Sequence, residues 1–183
     1  MGYYGRSFEL ANRVRPLKTK ADFTGLKMRC NLPTAVAAVA AMGAAPLKMS
    51  SSEVYMALQR KTIDGVVSGA QSIVKRKWNE TCKYLTLTNG SFSPWPVTVN
   101  TKFWNTLPPD IQQAVMEAAA EVSKISLEQA EKEDAAALSE ARKSMEIYVL
   151  EGEWPEARDA GLSAWRKRSG DETADSILKL LGK

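Results

Sequence analysis

At 183 residues, with 44% hydrophobic and 25% charged side chains, the chain is long enough to bury a real core as one large domain or two small ones. It holds no histidine, two cysteines and a net charge of +4, which removes the commonest general base and metal ligand and leaves too few sulfurs for a structural zinc site. No apolar run is long enough to cross a bilayer, and the two tight basic clusters, Lys75-Arg76-Lys77 and Arg166-Lys167-Arg168, read as solvated helix faces rather than a nucleic-acid surface.

Residues 2–10 read as a strand that opens in mid-pattern, since Tyr3, Tyr4 and Phe8 favour extended backbone and Gly2 and Gly5 allow close approach. Arg15-Pro16 breaks it. Thr19, with Asp22 three residues on, then has the form of a one-turn helix start. Gly25 ends that turn and residues 26–30 form the next strand, which places Arg29 on one face and Met28 and Cys30 on the other. An alanine-rich helix spans residues 33–42 and closes at Gly43. A short strand at 45–49 follows, parallel to the first if the helix is a crossover. Ser50 to Ser52 cap a further helix with Glu53 in its first turn, residues 63–67 are a third strand, and 70–77 another helix. Strand, helix, strand, helix, strand in units this short predict an α/β layer with a mainly parallel sheet.

Residues 84–88 and 95–100 are strand-like, with a loop between them. Pro109 and Asp110 open a long helix, and Ile111, Val115, Ala118, Val122 and Ile125 recur at spacings of three and four. No proline or glycine intervenes before Tyr148, so one long helix or two in series is expected over residues 110–148. Two shorter helices at 157–168 and 173–181 finish the chain, with Trp154 and Trp165 as apolar anchors.

No catalytic triad, zinc-protease motif or glycine-rich phosphate loop is present. Glu53 and Asp64 read as a helix-start residue and a turn former rather than a carboxylate pair. What remains is a binding surface. In an open parallel sheet, ligands collect beyond the carboxyl ends of the strands, where helix N-termini also point. Arg29, residues 50–52 and Ser68 all fall at such ends, and a guanidinium there suits a carboxylate, which it can grip in bidentate fashion. Cys30 and Cys82 are expected to be free, largely buried thiols. The opening residues, Met1 to Arg6, lack the layout of a signal peptide, which leaves a cytoplasmic protein or a processed or truncated piece of an exported one.

The ordered set Arg15-Pro16-Leu17, residues 21–29, Met42-Gly43-Ala44, residues 52–59, Ile63-Asp64-Gly65 and Asn100 followed by residues 103–110 closely resembles the substrate-binding proteins of tripartite ATP-independent periplasmic (TRAP) transporters. With the long helix after Leu107, the resemblance covers nearly the whole chain. It implies an α/β fold: a periplasmic-binding-protein-like lobe with a mainly parallel sheet, followed by a long helix and helical tail. It also implies a non-enzymatic periplasmic receptor, without a cofactor, that closes two lobes around a small organic acid and hands it to the TRAP membrane permease subunits.

By the same resemblance, Arg29 matches the arginine that pairs with the substrate carboxylate, and Arg6 is similar to a second arginine near the ligand. Ser51 and Ser68 fall where members carry bulky or polar selectivity residues, so serine at both implies a roomier or wetter pocket. Phe92 and Trp95 are candidate pocket walls, with core packing an equally good account of each. Family members begin with a whole lobe that would precede Met1. The expectation is therefore a truncated form, with residues 1–108 as the α/β lobe and residues 109–183 as a long helix and tail that would bridge to the absent one. A homodimer would cover the apolar surface so exposed. The alternative, from another class, is a cytoplasmic helical scaffold that docks through the long helix and a basic surface and takes no small ligand.

Overall fold

The computed structural model describes residues 2–3, 8–88, 95–152 and 154–180. Strand β1 (Gly2–Tyr3) and β2 (Glu9–Asn12) belong to different sheets, so the stretch expected as one opening strand contributes to two. After Arg15-Pro16, Asp22 accepts the backbone N–H groups of Lys18 at 2.9 Å and Thr19 at 2.6 Å and closes a capping box on the one-turn 3-10 helix Lys20–Phe23. Gly25, at φ 75°, turns the chain into β3 (Lys27–Arg29). Helix α1 (Pro33–Ala41), β4 (Ala45–Leu47), α2 (Val54–Gln59), β5 (Gly65–Ser68) and α3 (Ala70–Lys75) follow, then β6 (Tyr84–Leu87).

Among the described residues strand β7 (Trp95–Pro96) pairs with β1, in a separate two-stranded ribbon, and is shorter than the strand expected at 95–100. The Asn100 side chain caps α4 (Thr101–Trp104) by accepting from the Lys102 and Phe103 backbones. The 33-residue α5 (Pro109–Ala141) carries Pro109 in its first turn. It ends earlier than the sequence suggested. A turn at 142–144 leads into β8 (Glu146–Val149), which pairs in parallel with β6, Tyr84 opposite Glu146. Residues 146–149 leave the helix because Ile147, Tyr148 and Val149 suit a pleated edge, and there Ile147 packs against a core that an extended α5 would not reach. Helices α6 (Pro155–Ser169) and α7 (Asp171–Leu180) complete the chain.

Among the described residues the main sheet has six strands in the order β4-β3-β5-β2-β6-β8. Its β3–β4, β3–β5 and β6–β8 pairs are parallel, while β2 runs antiparallel to both its neighbours. Five strands therefore share one direction. Their carboxyl ends, at Arg29, Leu47, Ser68, Leu87 and Val149, lie on one edge together with the start of β2 at Glu9.

Side-chain alternation divides the interior into two cores. On one face Ala11, Val66 and Leu85 pack with Val54 and Leu58 of α2, Ile73 of α3, Trp78 and Ala141 of α5. On the other, Leu10, Met28, Cys30 and Val67 pack with Ala35, Val39 and Met42 near α1, and Trp154 joins them with its ring centroid 5.8 Å from that of Phe23. Trp165 is only partly buried. Helix α5 is anchored by its second half, where Ala130, Ala137 and Ala141 are buried and Glu133 pairs with Lys75 at 3.1 Å. Its first half leaves Ile111, Val115, Met116, Val122 and Ile125 40 to 61% exposed.

Gly65 sits where three strands meet and has no room for a side chain. A Cβ there would clash with the Ala11 carbonyl oxygen and come within 2.8 Å of Met28 Sδ. Gly65→Ala should therefore lower stability by about 1–3 kcal/mol, as overpacking does, measured by urea unfolding. An unchanged midpoint would show that β2 and β5 separate freely.

Candidate functional site

The last residue of β3 places Arg29 at the carboxyl edge of the sheet. The side chain lies on the face of its β5 partner Val66, opposite to Met28 and Cys30, because neighbouring strand residues point to alternate faces. It is 3% exposed. Its Nε and Nη2 donate to the Met49 carbonyl at 3.1 and 3.0 Å, and Nη2 also reaches Ser51 Oγ at 3.2 Å. Among the described residues Nη1 has no hydrogen-bond partner and no carboxylate pairs with the guanidinium.

Burial pulls the Arg29 pKa below its ordinary value; Cys30 opposes that pull and the nearby Arg76 adds to it. A guanidinium stays charged regardless. The edge thus holds a buried cation supported by dipoles and, among the described residues, in contact with no carboxylate, an arrangement that an incoming anion relieves.

Ser51, partly buried, lies in the turn before α2. That turn is closed on itself: Glu53 N donates to the Ser50 carbonyl at 3.2 Å, and the Glu53 carboxylate accepts from Ser50 N at 2.9 Å and from the Ser50 hydroxyl. The Ser50 hydroxyl, then its N–H, holds the Glu53 carboxyl below the usual carboxylate range. Ser68 ends β5 directly across from Glu9, and both share the face of Val66 and Arg29 by strand alternation. Asp64, at the opposite edge, accepts from Arg13 Nη2 at 2.6 Å and Lys27 N at 3.0 Å. Neither acid is paired with the other.

Glu9 is the residue that sequence reasoning missed. It is 1% exposed, and its carboxylate accepts from Thr88 N at 2.7 Å, which ties the start of β2 to the end of β6. The available signal was a lone carboxylate between Phe8 and the apolar pair Leu10 and Ala11. Arg6 and Phe92 lie outside the described residues. Trp95 belongs to the β1–β7 ribbon rather than to the main sheet.

A cavity of about 450 Å³ opens on the other face of the sheet, walled by Phe8, Val67 and Thr88, by Met42 after α1, and by Trp154 and Arg158. Neither Arg29, Ser51 nor Ser68 lines it, so size and chemistry disagree about where a ligand would sit. The cavity walls are mainly apolar, whereas a small acid needs a buried cation. The Arg29 edge therefore carries the anion argument.

Among the described residues no group of three His, Cys, Asp or Glu side chains is placed to hold a metal ion. Cys30 and Cys82 are buried and free and belong to opposite cores, and burial pushes each thiol up to about 12.

Comparison with known proteins gives concordant matches. A family model described as bacterial extracellular solute-binding protein, family 7, matches residues 3–169. The C4-dicarboxylate-binding periplasmic protein DctP of Rhodobacter capsulatus is 30% identical over 184 residues, covering 97% of this chain and 55% of the relative. The 2,3-diketo-L-gulonate-binding periplasmic protein YiaO of Escherichia coli (strain K12) is 37% identical over 114 residues, 62% of this chain and 35% of the relative. A crystal structure of a TRAP periplasmic solute-binding protein from Ochrobactrum anthropi, its C-terminus bound in the ligand-binding pocket, superposes with a TM-score of 0.83 at 31% identity, covering 98% of this chain and 59% of that one. The chain spans about half the length of the relatives it matches.

Proposed function

The chain belongs to the bacterial extracellular solute-binding protein family 7, and from that membership we propose that it receives a small organic acid in the periplasm and passes it to the membrane permease subunits of a TRAP transporter. Family members are receptors rather than enzymes. Relatives are named for a C4-dicarboxylate and for a sugar acid, and both ligands carry a carboxylate. One observation supports the assignment most strongly: Arg29 is a buried cation at the carboxyl edge that, among the described residues, contacts no carboxylate and leaves Nη1 unpartnered.

In this reading Arg29 clamps the carboxylate and Ser51 and Ser68 line a polar, roomy pocket. Arg6 adds a second positive charge, and Phe92 and Trp95 wall the ligand. Residues 1–108 supply the ligand-binding lobe. Residues 109–183 supply the long helix and tail, although β8 and α6 also pack into that lobe. A helical scaffold explains neither the family match nor the buried arginine. A thermal-shift screen with C4-dicarboxylates and sugar acids tests binding. A concentration-dependent rise in Tm is expected for at least one acid and not for its amide, and a screen without any rise would overturn the reading.

The exposed stripe on the first half of α5 and the small cavity beside it, walled by Val97, Val99, Trp104 and Met116, form an apolar surface that further protein covers. In the chain by itself we assign that role to a second copy. Light scattering should give a dimer mass, and Val115→Glu should return a monomer. A wild-type monomer at all concentrations would refute the dimer.

A further inference from the structure

Glu53 is exposed and touches no part of the expected ligand site, yet it closes the turn that supports Arg29. The Arg29 guanidinium rests on Met49 O through Nε and Nη2 and on Ser51 Oγ through Nη2. Those two acceptors flank Ser50. Ser50 in turn is held at its own backbone N–H, 2.9 Å from Glu53 Oε2, and at its hydroxyl, which donates to the same oxygen. The return bond from Glu53 N to Ser50 O, at 3.2 Å, and the Ser50–Ser52 hydroxyl contact, at 2.9 Å, complete the loop. The loop closes a turn ahead of α2, which begins only at Val54 with Glu53 as its N-cap and without a side-chain cap bond, and runs for only six residues. Its firmest consequence therefore lies upstream, at the two acceptors on either side of Ser50.

We propose that Glu53 is a positioning residue of the carboxylate site: through Ser50 it fixes Met49 O and Ser51 Oγ, and they aim the Arg29 guanidinium so that its Nη1 edge meets the ligand. This rests on the reading of Arg29 given above. Met49 O occupies the side formed by Nε and Nη2, so the unpartnered nitrogen is the one at the far end of the fork. Ser51 accepts from Nη2 and keeps its own hydroxyl proton to donate to a ligand oxygen. An arginine free to swing would spend part of the binding energy on immobilisation, and the turn removes that cost in advance.

The test needs no ligand at its first stage. In the ¹⁵N-labelled full chain, solvent exchange of the Arg29 Nε–H reports its bond to Met49 O. Glu53→Ala should speed that exchange by about fivefold, the effect of losing one hydrogen-bonded turn contact. Glu53→Gln keeps an acceptor oxygen and should restore the wild-type rate. Met56→Gly weakens α2 at an exposed position without touching the turn, and should leave the exchange unchanged. At the second stage, NMR titration with succinate and with D-galacturonate should show Glu53→Ala weakened by a similar factor and Glu53→Gln rescued.

Unchanged Nε–H exchange in Glu53→Ala, or equal acceleration in Met56→Gly, overturns the proposal. Faster exchange with unaltered affinity for an acid that Arg29→Lys does weaken overturns it as well. If Arg29→Lys binds both acids as wild type does, the carboxylate-clamp reading fails, and the exchange data still decide whether Glu53 holds Arg29 in place.

Discussion

Arg29→Lys should weaken binding of the cognate acid by about 2 kcal/mol or more, roughly 30-fold in Kd, because a single ammonium cannot hold its present acceptors and still offer the ligand a donor as the guanidinium does. The geometry makes the loss larger than an ordinary conservative change. Arg29 carries two tasks on one planar group: Nε and Nη2 hold Met49 O and Ser51 Oγ, while Nη1 remains for the ligand. A lysine has one nitrogen and a flexible stem, so it serves the Met49 carbonyl or the ligand but not both with good geometry. It would also be a strongly hydrated ammonium at a position that is 3% exposed, which adds a desolvation cost that the more weakly hydrated guanidinium bears better. Isothermal calorimetry with the acid identified by thermal shift measures the effect, with NMR titration for a millimolar ligand. Equal affinities for wild type and Arg29→Lys would remove Arg29 from the site.

The part of this fold that was legible in the sequence is the part written in local chemistry. Gly25 and Gly43 mark ends because the backbone there takes φ values of 75° and 92°, open to glycine at no cost. Thr19 with Asp22 marks a start because a side chain three residues on captures an orphan N–H. Ser50 with Glu53 makes the same local bond but closes the turn ahead of α2, which begins only at Val54, so the expected serine cap with Glu53 in the first turn falls short of the helix. Between these signals the run from β3 to β5 could be placed almost element by element, and strand parity alone put Arg29 on the face away from Met28 and Cys30.

What stayed hidden depends on partners far away in the chain. Strand β8 follows α5 without proline or glycine, and its reason for existing is β6, some sixty residues earlier. Glu9 offers only a faint local signature, one carboxylate among apolar neighbours. Its carboxylate accepts from the N–H of Thr88, 79 positions on, across the antiparallel insertion of β2 between β5 and β6. The site was legible to the same degree. Arg29 and Ser51 are 22 positions apart but joined by local turn chemistry, whereas the Glu9–Ser68 neighbour relation required the sheet order.

Trp78→Ala should cost about 3–5 kcal/mol of folding stability, the range for truncating a buried large side chain, out of a total of about 5–15 kcal/mol for a domain. Trp78 is 1% exposed and is among the largest fully buried side chains of the described residues. It enters the core through an unusual route: Lys77 before it adopts φ 59°, which swings the 3-10 turn Trp78–Glu80 back under the sheet. There the indole shares a core with Val54 and Leu58 of α2, Ile73 of α3 and Val66 of β5, and the Arg76 guanidinium stands 5.9 Å from the ring. Alanine would leave a void that three separate elements must collapse to fill, and strands fixed on both sides by hydrogen bonds cannot follow. The void would also slacken α2, which follows directly on the turn that carries the supports of Arg29. Trp78→Ala should therefore lose affinity for the acid under conditions where it is still folded, by less than Arg29→Lys does, because the indole bears on the helix and not on the ligand. Urea unfolding gives the first quantity and calorimetry below the unfolding transition the second. A stability loss under about 1 kcal/mol would mean that the site-facing core does not rest on this residue.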